Sequence, residues 1–231
     1  MHVLLVPGFW LAADSWLIVE AQLSTNGVTC TAITLPGLGD GTPPASVRLI
    51  DQIDFLAEAI DRITGEVVLV GHSGAGPICH AAASRQRDRV RRIIHVDTWP
   101  LPPGRSINAE LAGDHDVVPL PDWSAFENED LIDLDDELRA RFRAMAHDQP
   151  AAVARDPFPE MDPSRFDIPT SIICCEFTSA QLATWMSAET EIFAETLRVR
   201  TVNFVDLPTG HWPQFTKPHE LAAALLSLEW T

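Results

Sequence analysis

Positive charge is scarce in this chain: 16 lysines and arginines stand against 33 aspartates and glutamates, leaving a formal charge of −17 over 231 residues. A surface of that sign repels phosphate backbones and anionic lipid, so nucleic acid and membrane surfaces are excluded as partners, and the charge reads as a means of staying soluble. Long apolar runs are missing too, and nothing approaches the roughly 20 residues that cross a bilayer. The first residues carry no basic segment and soon meet Pro7, so they are expected to open a strand and not a secretory leader. Cysteine is sparse, with four in all. Cys174 and Cys175 sit side by side in an apolar run, and Cys30 and Cys79 fall in expected core elements, which suits buried reduced thiols in a cytoplasmic protein. No cysteine and histidine spacing matches a zinc site, and no metal is expected.

What is present is the balance of a globular protein, 46% hydrophobic and 21% charged. A chain of this length suits one domain spanning residues 1–231, with a sizeable core. Short runs of buried-strand character lie at residues 3–6, 28–33, 67–70, 90–96, 169–175 and 199–205. Between them fall helical patterns. Residues 14–26 end at Gly27, and residues 47–63 place Ile50, Ile53, Leu56 and Ile60 on one stripe. Further helices are expected after Ser73, with Pro77 in the first turn and the end at about Gln86, within 179–197, and from Lys217 onward. Such alternation predicts an α/β fold with a mostly parallel central sheet of about six strands flanked by helices.

The third strand runs into Gly71-His72-Ser73-Gly74-Ala75-Gly76. Small residues here permit a bend too sharp for ordinary side chains, which exposes the Ser73 hydroxyl and backs it with the free N–H groups of a helix start, Gly74 among them. This string resembles the nucleophile elbow of the α/β-hydrolase superfamily, with Ala75 in place of the second glycine. The loop after the first strand, Pro7-Gly8-Phe9-Trp10 with Trp16 beyond it, is similar to the superfamily's His-Gly loop, with Pro7 replacing the histidine. That loop aims a backbone N–H at a substrate carbonyl. The resemblance therefore implies an oxyanion hole built from Phe9 and Gly74. Leu35-Pro36-Gly37-Leu38-Gly39-Asp40 is similar to another superfamily loop but lacks its usual acid and histidine.

After the last strand, Gly210-His211-Trp212 followed by a closing helix resembles the superfamily's catalytic histidine. Serine is a weak nucleophile, so it needs a base, and the base needs a carboxylate to set its tautomer. His211 is the expected base, and His72 beside the serine is the alternative. For the acid, the superfamily's usual loop holds Thr178 and Ser179, neither of which can orient an imidazole. Asp97, at the end of the strand that follows the nucleophile helix, is preferred, with Glu176 as the alternative. From 98 to 167 the alternation stops in a segment rich in proline and acids, with one helix candidate at 130–146. Its position matches the superfamily's cap insertion. Trp10, Trp99, Trp123, Phe126, Phe158 and Trp212 are the expected pocket walls.

The resemblance implies acyl transfer from a small, partly apolar, neutral or cationic ester to water, without a cofactor, by a monomer or homodimer. It places the chain near small esterases of the methylesterase and hydroxynitrile lyase group. Lyases, cofactor-free oxygenases and non-catalytic receptors share the layout. Lys217 is the only lysine and lies in the closing helix region, which argues against a cyanide-binding lyase.

Overall fold

The computed structural model describes residues 1–188 and 191–228, so the part of the 179–197 pattern at 189–190 lies outside the described residues. Six strands form one sheet in the order β2-β1-β3-β4-β7-β8: β1 His2–Val6, β2 Cys30–Ala32, β3 Val67–His72, β4 Val90–Val96, β7 Thr170–Cys174 and β8 Val202–Asp206. Every pairing is parallel, with Leu5 against Val70, Val70 against Ile94, and Ile94 against Ser171. The side-chain alternation of extended chain divides these strands between two cores. Leu4, Val6, Leu69 and Ile93 join the cluster beneath α2 (Leu49–Arg62) and α3 (Ala75–Arg85). Val3, Leu5, Val68, Val70, Ile94 and Ile173 face the other side, with Trp16, α1 (Leu17–Thr25) and α10 (Pro218–Ser227). Val67 to Val70 are all fully buried, and each such side chain contributes about 1.5–3 kcal/mol.

After β1 the chain goes to β2 on one side and then returns to β3 on the other, so the loops leaving β1 and β3 diverge at their carboxyl ends. In an open parallel sheet that divergence leaves a crevice. Between β4 and β7 the chain leaves the sheet through α4 (Ala109–Ala112), α5 (Asp136–Met145) and α6 (Ala151–Arg155). It also makes a short antiparallel pair, β5 Val117–Val118 with β6 Gln149–Pro150, which the sequence pattern did not suggest.

Several boundaries differ from the sequence expectation for identifiable reasons. The helix expected from residue 130 starts at α5, where Asp135 accepts from Leu138 N at 2.9 Å, because Asp133 adopts a left-handed turn at φ +63°. β8 begins after Val199, whose N–H still closes α8 (Ala194–Arg198) on Glu195 O at 3.2 Å. On α2 the buried stripe is Leu49, Ile53, Leu56, Ala57 and Ile60, while Ile50, one step further round the helix, is 38% exposed. The four cysteines are all free, although Cys30 is only half-buried on the edge strand β2. α7 (Ser179–Ala188) and α9 (Pro213–Thr216) are the remaining α-helices among the described residues.

Buried histidines make the fold sensitive to acid. His72, His80 and His95 are fully inaccessible, and burial lowers the pKa of each, His72 to about 3 and His95 well below its usual value. A depressed histidine contributes stability that is complete above the unfolded pKa near 6.5 and is lost as pH falls, because only the unfolded chain takes the proton. His211, whose pKa is raised, acts in the opposite sense, its contribution being lost towards pH 10. At about pH 5, protonation of His95 in the unfolded chain alone can cost at most about 2 kcal/mol relative to neutral pH, the limit set by the ordinary pKa near 6.5. His95→Leu should therefore remove up to about that much of the stability loss between urea unfolding at about pH 7.5 and pH 5. An unchanged pH dependence would show that His95 takes its proton inside the fold.

Candidate active site

The bend after β3 is set by backbone contact. A Cβ on Gly71 would stand 2.8 Å from Ala75 O, Gly76 Cα and Cys79 Sγ, so the strand and α3 meet with no room for a side chain between them. Ala75 is accommodated in the place of the motif's second glycine because the close approach falls one residue later, where a Cβ on Gly76 would press on Thr98 and on His95 Nδ1. Ser73 itself is held at φ +50°, a left-handed conformation that costs a non-glycine residue roughly 1 kcal/mol or more. Its N–H bonds to Val96 O at 3.0 Å, and its carbonyl accepts from Gly76 N at 2.9 Å.

The β1 loop lies directly on this bend, since a Cβ on Gly8 would come within 2.8 Å of His72 Nδ1 and 2.9 Å of Ser73 Cβ. Trp10 is also left-handed, at φ +63°. Its indole N–H donates to Val118 O at 3.0 Å and its carbonyl accepts from His147 N at 2.8 Å. Phe9 stacks over Gly74, and the N–H groups of neither residue are engaged by another described residue.

His211 arrives from the loop after β8. Its Nε2 is 2.7 Å from Ser73 Oγ, and its Nδ1 is 2.7 Å from Asp97 Oδ2. Asp97 follows β4 in a third left-handed conformation, φ +52°, and is buried. Its other oxygen accepts from Cys175 N at 2.8 Å and Glu176 N at 3.2 Å, so the carboxylate is clamped from the end of β7. The alternative acid, Glu176, comes no nearer to Nδ1 than 3.5 Å. Burial opposes a charge on His211, but hydrogen bonds and attraction from Asp97 and Glu176 outweigh it and raise its pKa to about 10. Asp130, raised to about 6 by burial and by the neighbouring Glu176 carboxyl, lies beside them.

The sequence matches the Alpha/beta hydrolase family over residues 3–224. The chain belongs to this family. No curated protein matches it. Among solved structures, an extracellular α/β-hydrolase from a Paenibacillus species, described as sharing structural and functional homology with tobacco salicylic acid binding protein 2, superposes with a TM-score of 0.75 at 17% identity, covering 98% of each chain. A methylesterase from Arabidopsis superposes with a TM-score of 0.75 at 18% identity, over 98% of this chain and 97% of that one. A pyrethroid hydrolase from Sphingobium faniae JZ-2 gives 0.65 at 18%, over 98% and 96%. At these identities the likeness is one of fold.

In this α/β-hydrolase, Ser73 and His211 open into a cavity of about 480 Å³. Phe9, Trp10, Trp99, Phe126 and Trp212 line it, as does Gly74. Trp123 and Phe158 do not. Trp123 stands behind the wall, its ring 5.6 Å from that of Phe126 and 6.1 Å from that of Trp212, and Phe158 is buried in the core beneath the 98–167 segment. Phe126 and Trp212, against which the Trp123 ring packs, take the lining positions in its place, and the Phe158 side chain is turned into the core. The lining carboxylates are Asp97, Asp130 and Glu176, with no lysine or arginine. Lys217 instead lies 3.2 Å from Asp133 and donates to Pro208 O at 2.6 Å.

Nothing in the sequence marks Asp130 as a site residue, because it is one acid in an acidic stretch. Nor does His72 touch the serine as a second base, since its nitrogens face the His211 carbonyl and Gln214. Among the described residues only Asp97, Glu176 and His211 bring three ligand-type atoms within 4.8 Å. A metal there would have to displace the proton between His211 Nδ1 and Asp97, and so would compete with the Ser73 contact.

Proposed function

We propose that this chain is a serine hydrolase that cleaves the carboxylic ester of a small, partly apolar substrate through an acyl-enzyme. The observation that carries the reading is the unbroken pair of 2.7 Å contacts from Ser73 through His211 to Asp97, opening into an aromatic-walled cavity. Ser73 Oγ passes its proton to His211 Nε2 as it bonds to the substrate carbonyl carbon, while Asp97 holds the imidazolium through Nδ1–H. The N–H groups of Phe9 and Gly74 take the developing oxyanion. Breakdown expels the alcohol, which takes the proton back from Nε2. Water then repeats the sequence on the acyl-enzyme and returns Ser73, with no cofactor in any step.

The methylesterase and pyrethroid hydrolase among the similar folds are compatible with ester cleavage. We read residues 98–167 as a cap, and the acting form as a monomer or homodimer in the cytoplasm, with only a small molecule as partner. The all-acidic charge of the cavity selects neutral or cationic esters.

The experiment is stopped-flow hydrolysis of p-nitrophenyl butyrate, with mass spectrometry of quenched enzyme. A nitrophenol burst near the enzyme concentration and a butyryl group on Ser73 are expected. Acylation elsewhere would overturn the reading. The hemisuccinate ester, which adds a carboxylate to the acyl chain, should show a kcat/KM at least about tenfold lower, with the gap narrowing in high salt.

A further inference from the structure

All the polar groups of His211 are occupied. Its ring meets Ser73 and Asp97, and its N–H donates to Asp130 O at 2.9 Å. Its carbonyl lies 2.6 Å from Nε2 of His72, a residue with no part in the chemistry above. We propose that His72 is a positioning residue, whose Nε2–H holds the His211 carbonyl and so fixes where the His211 ring presents its own Nε2 to Ser73.

Three observations support this, and the inference rests on the serine hydrolase reading. First, the tautomer of His72 is determined by its surroundings. The His211 carbonyl, 2.6 Å from Nε2, can only accept, so the single proton of a neutral imidazole sits on Nε2, which leaves Nδ1 as an acceptor facing the Gln214 side-chain amide at 3.3 Å. Burial and the neighbouring His211 hold the ring neutral, with a pKa of about 3. Second, the ring cannot shift. It is inaccessible to solvent, it closes β3, and Gly8 lies against it with no space for a methyl group. Third, His72 is bonded through one peptide to Ser73. The residue carrying the nucleophile and the loop carrying the base are therefore joined by one short hydrogen bond, and not only through the reacting atoms. Proton transfer tolerates little error in this distance, and a displacement of about 1 Å can cost a factor of 10².

The test compares His72→Met, which fills a similar length without a donor, with His72→Gln, whose side-chain amide can place an N–H near the same carbonyl. His72→Met should lower kcat on p-nitrophenyl butyrate by about 10- to 100-fold with KM within about twofold. His72→Gln should recover kcat to within about fivefold of the unsubstituted protein. Equal kcat in the two variants, or a His72→Met kcat within twofold of the unsubstituted protein, would overturn the proposal. Since His72→Met could fail to fold, ¹⁵N-histidine NMR of the unsubstituted protein provides a second readout. It should show His72 as the neutral Nε2–H tautomer from about pH 5 to 9, with a scalar coupling across the bond to the His211 carbonyl. An Nδ1–H tautomer or an imidazolium would overturn it. This measurement reads the bond whether or not the chain turns esters over, so failure of the hydrolase reading and failure of the His72 assignment are told apart.

Discussion

Ser73→Ala and His211→Ala should each lower kcat on a chromogenic ester by about 10⁴- to 10⁶-fold, and the double variant should lose no more than either alone. The two groups act as a unit: without Nε2 at 2.7 Å the hydroxyl has no proton acceptor, and without the hydroxyl the base has nothing to activate. In the proposed mechanism, the rate that survives comes from the N–H groups at Phe9 and Gly74 and from binding in the cavity, neither of which the substitutions touch. Ser73→Ala should change stability little, because alanine at 73 keeps the same left-handed backbone, whereas His211→Ala leaves the buried Asp97 carboxylate without its partner and should lower stability at neutral pH. Circular dichroism and urea unfolding check the fold, and initial rates check the chemistry. Retention of more than about a tenth of the activity by Ser73→Ala would remove Ser73 as the nucleophile.

Asp97→Asn should cost about 10³- to 10⁴-fold, while Glu176→Gln costs less than about tenfold. An asparagine keeps the volume and can still accept from Cys175 N and Glu176 N, but it cannot stabilise the imidazolium, and its NH₂ favours the wrong tautomer at His211 Nδ1. Glu176, at 3.5 Å and one-quarter exposed, adds field more than direction. That field has its own signature. Only neutral His211 accepts the serine proton, so a raised pKa moves the acid limb of kcat/KM upward, and Glu176→Gln should move that limb to lower pH without abolishing the rate. A crippled Glu176→Gln beside a mild Asp97→Asn would exchange the two roles. If neither change mattered, Ser73 and His211 would work as a dyad without an orienting carboxylate.

Much of this protein is determined by local sequence, because the determinants are short-range. A run such as Val67–Val70 has no amphipathic face to offer water, so it becomes a buried central strand in any compact fold, and its alternation with helical patterns implies parallel pairing. Gly71 and Gly76 mark where strand, helix and β4 touch, and Ser73 between them follows from that bend. Gly210-His211 is legible from its place after the last strand. What the sequence leaves open is whatever depends on side chains brought together from distant segments. Asp97 and Glu176 both follow strands on the same edge of the sheet, and which carboxylate comes within 2.7 Å of His211 Nδ1 is set by the left-handed turn at Asp97 and the two backbone N–H groups that aim it. Trp123 has the same composition signal as Phe126, yet packing places one behind the wall and the other in it. Asp130 reaches the site because its backbone carbonyl accepts the His211 N–H, a pairing between residues eighty-one apart in the chain that no spacing rule encodes. The tertiary structure decided these points because hydrogen-bond direction and cavity shape depend on positions in space, whereas the sequence pattern specifies only which face of a strand or helix is apolar.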